Sequence, residues 1–179
     1  MTLPASQSEL FSERLLLRPF NENDAAVTAA LAGDQKVIAT TFSIPEKYTE
    51  SKALKWIKSH QDKWLNCEEI IYGITTHDSN QIMGAVSLFD LQDNKAELGY
   101  WIGVPYWNNG YATEAAETLI ANAFTLFGLT YIHARYVKSN PASGAVLKKL
   151  GMSLINEDKA KDRYGNWVDY CYCGIHKSH

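Results

Sequence analysis

Glu97-Leu98-Gly99-Tyr100-Trp101-Ile102-Gly103-Val104-Pro105-Tyr106-Trp107-Asn108-Asn109-Gly110-Tyr111-Ala112-Thr113-Glu114-Ala115 decides how this chain folds. Leu98 to Val104 is aromatic and β-branched enough for a buried strand. Pro105 cannot donate to a sheet ladder, so the strand stops there. Asn108, Asn109 and Gly110 tolerate turn and left-handed backbone. From Ala112 the apolar positions fall at 112, 115, 116, 119, 120, 123, 124 and 127, the spacing of one buried helix face, and Gly128 ends it. The first amides of such a helix have no partner within it and sit at the positive end of its dipole. A turn of small residues lets an anion reach them, so the turn at 108–113 is a candidate phosphate cradle. It lacks the lysine and spacing of a P-loop, and no G-x-G-x-x-G occurs nearby, which excludes both nucleotide-binding readings. Taken alone, the turn is equally a plain strand–turn–helix connection.

Outward from this stretch, the 179 residues suit one domain, and 46% hydrophobic with 21% charged residues can bury a core. A net charge of −3 argues against nucleic acid as the main ligand, which would want a basic face. Cys67, Cys171 and Cys173 are odd in number and lack a paired metal spacing, pointing to a reducing compartment and no disulfide framework. The histidines show no H-E-x-x-H or similar spacing, so no metal is expected. No apolar run approaches the roughly 20 residues of a membrane span and no signal-peptide pattern opens the chain, so a cytoplasmic location is expected.

In order, residues 1–11 read as a loose leader and Ser12 to Phe20 as a first strand. Asn23 or Asp24 caps a short helix through Leu31, the segment 33–48 is irregular, and Thr49 caps a second helix carrying Ala53, Trp56, Ile57 and Trp64. Ile70 to Thr76, Ile82 to Leu91 and the stretch from Ala96 form an antiparallel meander joined at 77–80 and 93–94. After the long helix come a strand at Tyr131 to Val137, a helix from about Ala142 to Leu150 capped by Gly151, and strands from Met152 to Ile155 and Trp167 to Ile175. This places an α+β chain with a mixed, mostly antiparallel seven-stranded sheet and about four helices in a single domain over 1–179.

Two stretches carry a resemblance. The run Gly99-Tyr100-Trp101-Ile102 with Trp107-Asn108-Asn109-Gly110-Tyr111-Ala112 closely resembles the acetyl-CoA-binding motif of the GNAT N-acetyltransferases, nearest their RimJ/RimL branch of ribosomal-protein N-terminal acetyltransferases. Trp107 stands where Gln or Arg is commonest, and Asn108 replaces a usual Gly while tolerating the same backbone region. Asn140-Pro141-Ala142-Ser143 through Leu147-Lys148-Lys149-Leu150-Gly151-Met152 is similar to the family's Asn-x-x-Ser…Leu-Gly stretch, and the Glu13-Arg14-Leu15 opening fits the same branch.

The resemblance implies a GNAT fold whose sheet splays between the fourth and fifth predicted strands, with acetyl-CoA lying in the opening. Ile102, Gly103 and Val104 would then bond the pantetheine arm, Asn108, Asn109, Gly110, Tyr111, Ala112 and Thr113 the diphosphate, and Asn140 and Ser143 the same arm from the opposite side. It makes Glu97 the candidate base for an acceptor amine and Ser143 the candidate acid or thiol-side donor, because the tyrosine common four residues later is Leu147 here. The implied acceptor is a protein N-terminus or a small amine, with 33–48 and 158–166 shaping its pocket. A non-catalytic acyl-CoA-binding module stays open beside the enzyme, as does a homodimer through a sheet edge.

Overall fold

A computed structural model describes residues 3–41, 44–162 and 164–177. Its organising feature is an eight-stranded sheet in the order β1-β2-β3-β4-β5-β6-β8-β7. The strands are β1 (Leu10–Phe11), β2 (Leu15–Arg18), β3 (Glu69–Thr76), β4 (Ser79–Gln92), β5 (Lys95–Ile102), β6 (Tyr131–Val137), β7 (Ser153–Lys161) and β8 (Trp167–His176). The α-helices are α1 (Ala25–Ala32), α2 (Gln35–Ile38), α3 (Glu50–Lys58), α4 (His60–Leu65), α5 (Tyr111–Thr125) and α6 (Pro141–Lys149). Every pairing is antiparallel except β5 with β6. That exception follows from the long helix α5, whose crossover returns the chain to the sheet edge in the same direction.

The expected meander and the helix after Gly110 are present with small shifts of boundary. Several segments differ. The leader is stitched down: Leu10 pairs with Leu17, Gln7 Nε2 donates to the Ile71 carbonyl at 2.7 Å, and Trp64 Nε1 donates to the Pro4 carbonyl at 2.7 Å. β1 is therefore an eighth strand beyond the seven expected, built from backbone partners that local pattern does not reveal. Asp24 stands at the expected N-cap position of α1 but makes no side-chain cap bond there; its carboxylate accepts instead from the Asn21 amide, and Asn21 caps the turn at 22–24. The segment 33–48 holds the short helix α2, capped by Asp34, while Phe42 and Ser43 fall outside the described residues. The predicted second helix is broken at Ser59, whose hydroxyl turns back onto the Trp56 carbonyl at 2.7 Å. β7 continues to Lys161, so the expected loop narrows to a turn around Asp162, whose carboxylate accepts from the amides of Tyr164 and Asn166.

The apolar face of α5 (Ala115, Ala116, Leu119, Ile120, Ala123) is buried against Leu15, Tyr72, Val86 and Leu98 on one side of the sheet. Small residues at the first two positions let the helix lie close to the strands. Fully buried Leu119 contributes about 1.5–3 kcal/mol by leaving water. The opposite side is covered by α1 and α3, with Ala25, Ala53 and Ile57 as its centre. The Arg18 guanidinium forms a paired bond to Asp24 at 2.8 Å and reaches the Asn80 carbonyl at 2.6 Å, tying β2 to the start of α1 and to the β3–β4 hairpin. His60 lies edge-on to Trp56 and Phe20, and burial, helped by Lys63, pushes its pKa down to about 3, so it is a neutral packing residue.

Candidate active site between two diverging strands

The parallel pairing of β5 and β6 lasts only from Lys95↔Tyr131 to Glu97↔His133. Beyond Glu97 the two strands part. The Gly103 amide donates to the Met83 carbonyl at 2.8 Å, which identifies the hydrogen-bonded pairs of the β4–β5 ladder. By alternation, the backbone groups of Tyr100 and Ile102 turn the other way, into the gap. The Ile102 carbonyl accepts from Trp107 Nε1 at 2.6 Å, so Trp107 braces the end of the strand while the Ile102 amide faces the gap. Gly103 departs from the expectation for the ligand arm: its amide is held by Met83 and its carbonyl accepts from Tyr106 at 2.9 Å. Its missing side chain serves packing instead, since a Cβ there would meet Leu31 Cδ2 at 2.8 Å. Val104 enters the tight turn at 104–106, and its carbonyl accepts from Trp107.

That turn delivers the chain to the head of α5. Asn108 has φ 63° and Gly110 has φ 79°, the left-handed conformations that reverse the chain in so few residues. Asn109 closes the turn on itself, its side-chain amide donating to the carbonyls of Tyr106 and Trp107 at 3.2 and 3.0 Å. Gly110 is the N-cap and has no side chain with which to cap. The first helical bond runs from the Glu114 amide to the Gly110 carbonyl at 3.1 Å, leaving the amides of Tyr111, Ala112 and Thr113 without helical partners. Arg14 straps this turn to β2: its guanidinium donates to the Asn109 carbonyl at 3.1 Å, pairs with Glu114 and lies 5.0 Å over the Tyr111 ring. Burial opposes ionisation of Glu114, but bonds from the Ser12 hydroxyl, the Arg14 amide and the Arg14 guanidinium outweigh it and hold the carboxyl below its usual range.

Across the gap, α6 starts differently. Asn140 Oδ1 accepts from the Ser143 amide at 3.2 Å, and Pro141 occupies the first turn, where a missing N–H costs nothing. The capping bond uses the Asn140 side-chain oxygen and not its NH2. Ser143 Oγ lies 2.9 Å from the Tyr100 hydroxyl, which comes from β5. Burial pushes the Tyr100 phenol up to about 12, the Ser143 bond opposing. Leu147 is buried in the main core and brings no hydroxyl.

At the base of the gap Glu97 is mostly shielded, its side chain 13% exposed, and Arg135 Nε lies 3.1 Å from its Oε1. Glu97, Tyr100 and Ser143 line one cavity of about 850 Å³ that passes through the sheet. On the side of α3 its wall includes Tyr48, Lys52, Lys55 and Trp56. Arg14, the Tyr100 hydroxyl and Arg135 lie outside the expected site residues. The Glu13-Arg14-Leu15 pattern was a usable signal for the first; no local signal marks the other two, since their partners lie 43 and 38 residues away.

Comparison with known proteins agrees with this geometry. Residues 14–153 match the model of the GNAT acetyltransferase domain. The chain is 29% identical over 161 residues to the N-acetyltransferase p20 of Bacillus licheniformis, covering 86% of this chain and 89% of that one. Among solved structures it is similar to RimL, a ribosomal L7/L12 alpha-N-protein acetyltransferase in complex with coenzyme A (TM-score 0.85, 17% identity, 94% and 98% coverage). It is equally similar to the microcin C7 self-immunity acetyltransferase MccE in complex with acetyl-CoA and AMP (TM-score 0.84, 19% identity, 93% and 94% coverage). With the family model spanning most of its length and the diverging strands in place, this chain belongs to the GNAT acetyltransferase family.

Proposed function

We propose that the donor is acetyl-CoA and that the acetyl group passes by direct attack to a primary amine, the N-terminal amine of a protein. The observation that carries this reading is the uncapped head of α5, reached from Glu97 along a single strand and turn. The amides of Tyr111, Ala112 and Thr113 suit a diphosphate, and the Ile102 amide and Asn140 side chain suit the amide-bearing arm that follows it. The acceptor nitrogen attacks the thioester carbonyl, and the C–S bond breaks as the tetrahedral intermediate collapses. Glu97 takes the proton that the nitrogen loses, directly or through water, and Ser143 donates a hydrogen bond to the departing sulfur. A protein acceptor is in keeping with the likeness to RimL.

A second reading, a small anionic amine, has its own support. The cavity volume is that of a small-molecule site. Among the described residues, Lys52 and Lys55 at its α3 wall form no ion pair, Lys52 donating to the Lys47 carbonyl. Two ammonium groups there disfavour a polyamine and favour an amine with a carboxylate or phosphate beside it, whether peptide or metabolite.

The test is thiol release from acetyl-CoA across an acceptor panel: acidic and basic N-terminal peptides, acidic amino acids and spermidine. Acceptor-dependent release is expected, and its absence with every amine points to a non-catalytic acyl-CoA-binding module. Glu97→Gln should flatten the alkaline rise of the pH–rate profile; an unaltered profile removes Glu97 as base. Ser143→Ala should lower kcat by roughly tenfold with little change in acetyl-CoA affinity.

A further inference from the structure

Ser143 can stabilise the leaving sulfur only if its own hydrogen points into the gap, and the residue that decides this is Tyr100. The Tyr100 hydroxyl has two contacts on α6: Ser143 Oγ at 2.9 Å and the Ser143 carbonyl oxygen at 3.3 Å. A phenol has one hydrogen, so two arrangements compete. In one, Tyr100 donates to Oγ and the serine hydrogen is free to turn outward. In the other, Tyr100 donates to the carbonyl and the serine hydrogen is spent on the phenol oxygen.

The first arrangement is favoured on two grounds. The contact to Oγ is the shorter and lies near the usual O–H···O length. The carbonyl is a helical one, whose regular partner is the amide four residues on. Burial holds the phenol in its protonated form, so the donor persists through the neutral range.

We infer that Tyr100 is the positioning residue of the leaving-group side: its hydroxyl donates to Ser143 Oγ and turns the serine hydrogen toward the sulfur of acetyl-CoA. This rests on the reading of the gap as the donor site. The electron pair of the broken C–S bond goes to sulfur, which accepts the serine hydrogen bond. Neither hydroxyl loses its proton, and the thiolate is protonated from solvent on release.

The experiment uses Tyr100→Phe, which keeps the ring and removes only the hydroxyl, in the full chain. A fall in kcat of about tenfold is expected, with KM and calorimetric Kd for acetyl-CoA unchanged. In the double variant with Ser143→Ala, kcat should fall no further than in Ser143→Ala alone. An increased kcat in Tyr100→Phe would mean the serine hydrogen points inward and an unchanged one that the phenol does not aim it; either would overturn the inference, as would additive losses in the double variant. A lowered melting temperature with unchanged kcat would also overturn it, because it would make the hydroxyl structural. Wild-type chain that binds no acetyl-CoA would instead defeat the donor-site reading, a failure the calorimetry separates from this one.

Discussion

The heads of α5 and α6 face the same opening in the sheet and are finished in opposite ways. α5 begins at a glycine in left-handed conformation, with no side chain to satisfy its first amides. α6 begins at Asn140, whose side-chain oxygen takes the Ser143 amide and whose next residue is a proline. The first helix therefore presents open donors, and the second is largely self-satisfied. A self-capped helix holds its side chains still, which suits the positioned serine hydroxyl inferred above. An uncapped helix has unmet bonds, which suits an anion that comes and goes.

The sharpest way to break this contrast is to cap the open helix. Gly110→Asp should place a carboxylate beside the amides of Tyr111, Ala112 and Thr113 and, at φ 79°, strain the left-handed turn that presents them, both acting against an incoming phosphate. Calorimetric affinity for coenzyme A should fall about 100-fold, ~2.7 kcal/mol. Wild-type affinity in this variant would remove the head of α5 as the anion site.

Next in size is the reverse change at α6. Asn140→Ala should cost about 1 kcal/mol of stability, a drop of roughly 2–4 °C in melting temperature, through loss of the cap. Asn140→Asp separates the two duties of this side chain. It keeps the capping oxygen and loses the NH2 donors, so the melting temperature should hold while KM for acetyl-CoA rises severalfold. An unchanged KM would confine Asn140 to capping.

The smallest effect concerns the strap across the open helix. The folded-state pKa of Glu114 lies below its unfolded value, so its contribution is complete above the unfolded value of about 4.3 and is lost as pH falls through the folded one. Glu114→Gln should lower the melting temperature slightly near neutrality, where the ionised carboxylate contributes in full, and the gap to wild type should close as pH falls below that value, which flattens part of the acid limb. A wild-type acid limb in the variant would show that the strap contributes nothing to acid stability.

The contrast was only half legible beforehand. The turn chemistry of Asn108-Asn109-Gly110, the apolar stripe of α5 and the proline after Asn140 are local signals, and the structure follows each of them. Ile102, Gly103 and Val104 looked alike as strand-end residues. The β4 ladder separates them, because it occupies the Gly103 amide and leaves that of Ile102 facing the gap. Tyr100 read as an apolar strand residue until α6 brought a serine hydroxyl to it.

From the chain of residues alone came the order of the main strands and helices from β2 onward and the turn that opens α5, since periodicity, glycine and proline act within a few residues of themselves, while the candidacy of Glu97 and Ser143 came from the resemblance those stretches carry. Packing alone decided how early β5 and β6 part, that Arg135 sits on Glu97 and Arg14 over the open turn, and which hydroxyl meets Ser143. Those partners are far apart along the chain, and only the burial of helix faces on both sides of the sheet brings them within bonding distance.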